Sequence, residues 1–276
     1  MTVIAMTREM GTLGKDVAAG LSDALEIEVV HHEIVEHNLA QRLHLGENTV
    51  HRFLEGNASL WERWKINSER MSRYTAEEVL DLAKNQGNVL IRGWGAAQLL
   101  RDVPHVLCVR ICAPMSKRVA VMMERLHVTD EKSIRLEIKQ SDDAHSQTIQ
   151  RQFSNDWRNP ENYDIVLNTG FVSVENCVSV IENLVNAPAY QETKDSRRIL
   201  ADKIIESEVR KFLRDNPSDT PFGHGVRVAV AAGNVHLSGV VNIHSQIPEI
   251  IEEIRKLDGV TAVQNDVTFL PVVSGV

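Results

Sequence analysis

The sequence predicts an α/β protein in two parts: a parallel sheet with helices on both faces, then a small α+β unit in α-β-β-α-β order. Three observations predict it. Short apolar runs that read as buried strands alternate with segments of helical period up to about residue 186. A polar stretch without periodicity, NAPAYQETKDSRR (186–198), then interrupts the pattern. Beyond it the spacing changes to a helix, two alternating strands, a helix and a strand. A length of 276 residues suits two domains, each large enough to bury its own core. The expected organisation is residues 1–186, a linker at 187–198, and residues 199–276.

Taken in order, VIAMT (3–7) reads as a buried strand, followed by a glycine turn from Arg8 to Gly14. A helix from about Lys15 to Ala24 follows, because Val17, Leu21, Ala24 and Leu25 recur at helical spacing. EIEVV (26–30) is a second short strand. Residues 32–84 are mostly helical, with breaks near Gly46 and Gly56-Asn57. NVLIR (88–92) is a buried strand that runs into the turn Gly93-Trp94-Gly95 and a short helix. HVLCVRI (105–111) is the next strand, and Pro114 opens a helix carrying Arg118 and Arg125. A polar helical stretch covers 129–153. YDIVLNT (163–169) is the last strand of this half, and 173–185 its closing helix. In the second half the expected elements are a helix at 199–214, strands at 225–231 and 234–242, a helix at 245–257 and a strand at 260–269.

Lys and Arg total 30 against 38 Asp and Glu, a formal net charge of -8. A mildly acidic chain has no global electrostatic reason to coat nucleic acid or an anionic membrane, although local basic pockets stay open to a phosphate ligand. The apolar runs are far shorter than the roughly 20 residues of a membrane span. The opening MTVIAMTREM has no basic segment of the kind that starts a signal peptide. The cytoplasm is the expected compartment. Of the three cysteines, Cys108 and Cys112 lie four apart in a strand, so both face one side as small buried groups. Neither they nor Cys177 has the partners of a zinc site.

The sharpest local feature is Gly11-Thr12-Leu13-Gly14-Lys15-Asp16, between the first strand and the first helix. In a phosphate-binding P-loop, backbone amides wrap a phosphate, a lysine reaches its oxygens and a Ser or Thr holds Mg²⁺. Gly14-Lys15 fits the closing part of GxxxxGK[ST]. Glu9 stands at the first glycine position and Asp16 at the Ser/Thr position, two carboxylates beside an expected anion. On the motif alone a phosphate loop and a plain connecting turn are both open. His32-Glu33-Ile34-Val35-Glu36-His37 resembles H-E-x-x-H with one residue too many, so its histidines diverge by about 140° around a helix and zinc hydrolysis is rejected. Trp61, Trp64 and Tyr74, at helical spacing, are read as packing within the helical insert rather than as base-stacking groups.

Three segments, MTREMGTLGKDVAAGLSDAL, VLIRGWGAAQLLRDVPHVLCVRICAPMSKRVAVMMERL and NPENYDIVLNTGFVSVENCVSVIENL, together resemble the cytidylate kinase-like family of P-loop nucleotide kinases over residues 1–186. The resemblance implies a P-loop kinase-type parallel sheet, a monophosphate-binding helical insert at 46–80 and a lid within 118–155. It implies ATP and Mg²⁺ at Gly11, Thr12, Gly14, Lys15 and Asp16, and transfer of the γ-phosphoryl group to CMP or dCMP. Arg118, Arg125 and Arg151 would neutralise charge with Lys15, while Arg92 and Asp164 would face the monophosphate nucleoside.

The chain departs from the family at charged positions. The family's SREFGSGG reads TREMGTLGK here, its Asp-Arg-Glu run is His31-His32-Glu33, its GRG turn is Gly93-Trp94-Gly95, and its D-x-x-R pair is Asp142-Asp143-Ala144-His145. Arg92 and Arg101 would replace the lost charge only with side chains turned inward. Phosphoryl transfer depends on positioning and charge neutralisation, so these losses imply slow turnover, or a kinase-shaped sensor that binds a nucleotide without catalysis. Residues 197–270, with VRVAVAAGNVHLSGVV, IEEIRKLDGVTAVQNDVTF and the glycines Gly239 and Gly259, resemble a BON domain. That resemblance implies a protein or lipid partner, and the unit is read as a regulatory or interaction module.

Overall fold

In this computed structural model the chain divides into two units, Met1–Thr193 and Lys194–Val276. The structure describes residues 1–30, 37, 39–41, 45–54, 68–85, 87–93, 95–215, 226–241 and 247–269. The expectations attached to His31, His32, Glu33, Trp61, Trp64 and Trp94 lie outside those residues.

The first unit is built on β1 (Val3–Arg8), β2 (Glu28–Val30), β3 (Val89–Arg92), β4 (Val106–Cys112) and β5 (Ile165–Asn168), all parallel in the order β2-β3-β1-β4-β5. Alternation along the strands explains why helices cover both faces. Ile4, Met6, Leu90, Leu107, Val109 and Ile111 join Val17 and Leu21 of α1 (Gly14–Leu25) and Cys177 and Ile181 of α7 (Val174–Val185) in one core. The intervening residues, with Val3, Ala5, Ile91 and Cys108 fully buried, face the other side, where α3 (Ser68–Asn85) and α4 (Ala96–Leu100) pack. The insert also contains α2 (Glu47–Leu54). Past the C-terminal end of β4, α5 (Met115–Leu126) and α6 (Glu131–Phe153) pair through Val119, Met122, Ile134 and Ile138, with Met10 against them.

The second unit runs α8 (Lys194–Asp215), β6 (Val226–Ala231), β7 (Asn234–Val241), α9 (Ile247–Arg255) and β8 (Ala262–Phe269). Its sheet order is β6-β7-β8, antiparallel then parallel, as the α-β-β-α-β reading requires. The core is its own: Ile205, Val209 and Leu213 pack on Val228, Val235, Leu237, Ile250 and Ile254. Asp202 on α8 grips the hairpin turn, its carboxylate accepting from the N–H groups of Ala232 and Gly233 at 2.8 Å each.

The boundary between the two units falls within the expected linker, 187–198, and regular structure enters that stretch from both sides. Pro188–Tyr190 forms a 3-10 turn, Tyr190 packs on the first core, and Gln191 Nε2 donates to the Val185 carbonyl at 3.1 Å. The helix expected from 199 begins at Lys194. Aperiodic polarity concealed this because most of the first turns of α8 face solvent.

Candidate functional site

The turn that follows β1 lies at the C-terminal edge of the parallel sheet, between its neighbours β3 and β4. Open α/β sheets bind ligands at that edge. Glu9 N–H extends the ladder by donating to the Ile111 carbonyl at 3.1 Å, and the chain then turns sharply. Gly11 has φ +78°, and a Cβ there would sit 2.7 Å from the Arg118 carbonyl oxygen, so glycine is required. Leu13 precedes α1 with φ 57°, and Gly14 lies against the Arg8 stem. Thr12 is buried. Its hydroxyl donates to the Glu9 carbonyl at 2.8 Å, and its carbonyl accepts from Thr169 Oγ1 at 2.6 Å. The loop is therefore held from below, yet none of the N–H groups of Met10 through Gly14 has an acceptor among the described residues. Five successive donors at the positive end of α1 favour an anion. Lys15 and Asp16 are exposed in the first turn of that helix.

Beneath the loop is a buried charge network. Glu9 turns inward: Arg110 Nη2 donates to its Oε1 at 2.7 Å, and Arg118 Nη1 lies 3.4 Å from its Oε2. The expected repulsion between Glu9 and phosphate is thus corrected, because two guanidinium groups neutralise that carboxylate. Arg118 is itself fully engaged. Its Nη1 and Nη2 form a bidentate pair with Asp142 at 2.8 Å each, and its Nε donates to the Met10 carbonyl at 2.6 Å.

The other arginines of the expected lid are apart from this network. Arg125 Nη2 lies 3.4 Å from Asp16 Oδ2, both groups exposed. Arg151, near the end of α6, is exposed and donates to Gln147 at 3.3 Å. Arg92 closes β3 and is buried. Arg101 donates to Asn162 at 2.9 Å beside the start of β5, away from the loop. Asp164 likewise sits at the start of β5, where its Oδ2 accepts from the Cys108 N–H at 2.6 Å. Cys108 pairs in register with Ala5, three residues below the end of β1, so Asp164 braces the sheet instead of facing the phosphate edge.

Arg110, Trp157 and Arg158 carry no expectation from the sequence, and Asp142 enters it only within the run Asp142-Asp143-Ala144-His145. Trp157 is 1% exposed, with the Arg110 guanidinium 5.5 Å and that of Arg158 5.8 Å from its ring centre. The His145 ring meets it edge-on at 4.4 Å. Arg158 is half-exposed and stands 3.8 Å from both Asp142 Oδ2 and Asp143 Oδ1. The available signal was Arg110 itself, a charge inside the apolar run VLCVRIC, where burial demands a partner. Tyr163 secures the same loop: its hydroxyl donates to the Trp157 carbonyl at 2.7 Å and accepts from Gln98 at 2.8 Å. Burial pushes that phenol up to about 12. Burial also raises the thiols of Cys108, Cys112 and Cys177 above their ordinary value, which keeps them protonated and poorly nucleophilic.

Over 176 residues the chain is 21% identical to the cytidylate kinase of Sulfolobus acidocaldarius, covering 64% of this chain and 90% of that protein. A crystal structure of an uncharacterized protein from Eubacterium ventriosum superposes with a TM-score of 0.54 at 19% identity, over 68% of this chain and 99% of that one. Shikimate kinase from Bacteroides thetaiotaomicron superposes more loosely, with a TM-score of 0.43 at 12% identity, over 67% of this chain and 99% of that one. Residues 3–170 match the cytidylate kinase-like family, and residues 201–271 the BON domain. The first match takes in the loop, the strand that bears Arg110 and the helices that bear Arg118 and Asp142, and on it the chain belongs to the cytidylate kinase-like family, with a BON domain following.

Proposed function

We propose that the first unit binds a nucleoside triphosphate on the loop 10–15 and transfers its γ-phosphoryl group slowly to CMP or dCMP. The observation that carries this reading is the run of five N–H groups, Met10 to Gly14, without protein acceptors at the head of α1. Lys15 adds a cation at the same helix end. The loop's donor set fits a phosphate chain. Asp16, a hard carboxylate at the position where a P-loop carries Ser or Thr, would hold Mg²⁺, which would supply neutralisation of phosphate charge.

In the transfer the bond between the γ-phosphorus and the ADP oxygen breaks as a CMP phosphate oxygen bonds to that phosphorus, giving ADP and CDP. The chain's own contribution is to orient the donor and neutralise charge: the loop amides and Lys15 on the donor, Arg125 and the half-exposed Arg158 at its flank, and Arg92 toward the acceptor. Arg151 would act only on closure of α6. A platform for the base is at hand. Thr169 ties the turn after β5 to Thr12, and two residues on, Phe171 is 83% exposed. A nucleotide whose phosphates rest on the loop can stack its base there.

A second reading, a nucleotide sensor without turnover, is favoured by one observation: Arg118 is locked on Asp142, which leaves fewer cations for the transferred group. Calorimetry with ATP and CMP, with and without Mg²⁺, alongside coupled ADP release, decides between them. Lys15→Ala should weaken ATP affinity at least several-fold, and turnover of the wild type should stay below roughly 1 s⁻¹. Unchanged affinity in Lys15→Ala refutes the phosphate loop. Brisk turnover restores an ordinary kinase, and binding without turnover establishes the sensor.

A further inference from the structure

We propose that Arg118 is a positioning residue rather than a phosphate ligand: held by Asp142 on α6, it fixes the loop 10–14 in its anion-accepting form, so that α6 sets the loop's affinity. The inference rests on the reading of this loop as the phosphate site and adds how that site is controlled.

Three contacts place Arg118 between helix and loop. Its Nε donates to the Met10 carbonyl at 2.6 Å. In a trans peptide the carbonyl of one residue and the N–H of the next point in opposite directions. A Met10 carbonyl turned to Arg118 therefore turns the Gly11 N–H away from it, into the row of donors. Gly11 also rests directly on the Arg118 backbone, where even a Cβ would come within 2.7 Å of its carbonyl oxygen. The third contact sets the guanidinium itself: both Asp142 oxygens accept from it at 2.8 Å, the two side chains being 4% and 6% exposed. Such a fork-to-carboxylate pair fixes orientation as well as charge. Met10 completes the connection by packing on Val119, Met122, Ile134 and Ile138, the seam between α5 and α6.

The two possible roles of Arg118 predict opposite signs. If it were a phosphate ligand restrained by Asp142, Asp142→Asn would free a cation, release the neighbouring Arg158 and delete an anion, so anion binding would tighten. If it positions the loop, the same change lets the Met10–Gly11 peptide turn and anion binding weakens despite the gain in positive charge. Arg118→Lys separates the roles again. Lysine keeps the charge but has no planar fork with which to hold Met10 and both Asp142 oxygens together.

The test is calorimetric titration of the full chain with inorganic tripolyphosphate and with ATP. Asp142→Asn and Arg118→Lys should each bind at least about fivefold more weakly while remaining folded by circular dichroism. Equal or tighter binding by Asp142→Asn, or binding by Arg118→Lys within about twofold of wild type, overturns the proposal. Because removal of one buried partner can unfold a variant, hydrogen exchange of the wild type supplies a second readout. Tripolyphosphate should slow exchange at residues 138–146 of α6 as well as at the loop, and protection confined to residues 8–17 overturns the coupling. If the wild type binds neither anion, the phosphate-site reading fails and this proposal with it. If the wild type binds and the variants do not weaken, this proposal alone fails.

Discussion

At the scale of single residues, the site is a separation of charge. Two carboxylates beside the loop, Glu9 and Asp142, are buried and met by Arg110 and Arg118. Asp16 is exposed with Arg125 3.4 Å away, and the loop's N–H groups from Met10 to Gly14 have no acceptor among the described residues. An anion on the loop, as proposed, would find the charges of Glu9 and Asp142 already neutralised. Among the described residues Phe171 is an aromatic that is 83% exposed. It stands two residues beyond Thr169, which is tied to the loop, where the proposed nucleotide could stack its base. Phe171→Ala removes no core contact of an 83% exposed ring, so stability should hold. Loss of a base–aromatic stack costs about 1–3 kcal/mol. ATP affinity should therefore fall roughly tenfold, with tripolyphosphate, which has no base, bound as before. Calorimetry with both ligands checks it, and an equal loss for both would mean that Phe171 shapes the loop instead of holding the base.

Among the elements, α6 carries Asp142, the partner of Arg118, and its start is well defined. Asp130 caps it, accepting from Lys132 N–H at 3.0 Å, Ser133 N–H at 3.3 Å and Ser133 Oγ at 2.6 Å. The Ser133 hydroxyl and then its backbone N–H hold the Asp130 carboxyl below its ordinary value of 3.8. A carboxylate whose pKa is lowered by folding stabilises the fold above its ordinary value, and the contribution is lost as the pH falls through the folded value. Asp130→Ala should lower the thermal midpoint at pH 7 by roughly 2–4 °C. The gap from wild type should stay constant down to about pH 5 and narrow below 3.8. Thermal melts of both proteins from pH 7 to pH 3 measure it, and a gap that widens in acid refutes the cap.

The same helix shows what sequence reasoning reached. Its extent was legible, 129–153 against the observed Glu131–Phe153, because helical periodicity is a local property. The five parallel strands, and the loop after the first, were legible for the same reason. The partners of Arg118 were not, since Asp142 lies 24 residues away and Glu9 lies 109 away, and a buried ion pair leaves no spacing to read. Asp142 was noticed only as part of a motif that had lost its arginine. The bond from the Cys108 N–H to Asp164 at the start of β5 spans 56 residues and is equally absent from any local spacing.

Taken whole, the chain is two cores in series, and their independence is a proposal that the junction makes sharp. The buried cluster between the first sheet, α1 and α7 is drawn from Ile4 to Val185, and that of the second unit from Ile205 to Ile254. The joint is also short: Gln191 is tied back to Val185, and α8 begins at Lys194, leaving residues 192 and 193 between. The second unit closes on itself at several points. Asp202 on α8 caps the hairpin turn, Thr261 N–H donates to the Gly233 carbonyl at 2.8 Å, and Gly259, with φ +80°, lets the chain pass close to Ile205 on the way from α9 to β8. A chain starting at residue 199, the boundary that periodicity alone suggests, would discard the first turn of α8, including the buried Ser196. A fragment comprising residues 194–276 should therefore fold alone and melt cooperatively, whereas one comprising 199–276 should melt several degrees lower. Circular dichroism melts of the two fragments decide the matter. An unfolded 194–276 fragment would show that the BON domain needs the kinase-like unit to fold, and would make the two parts one cooperative molecule.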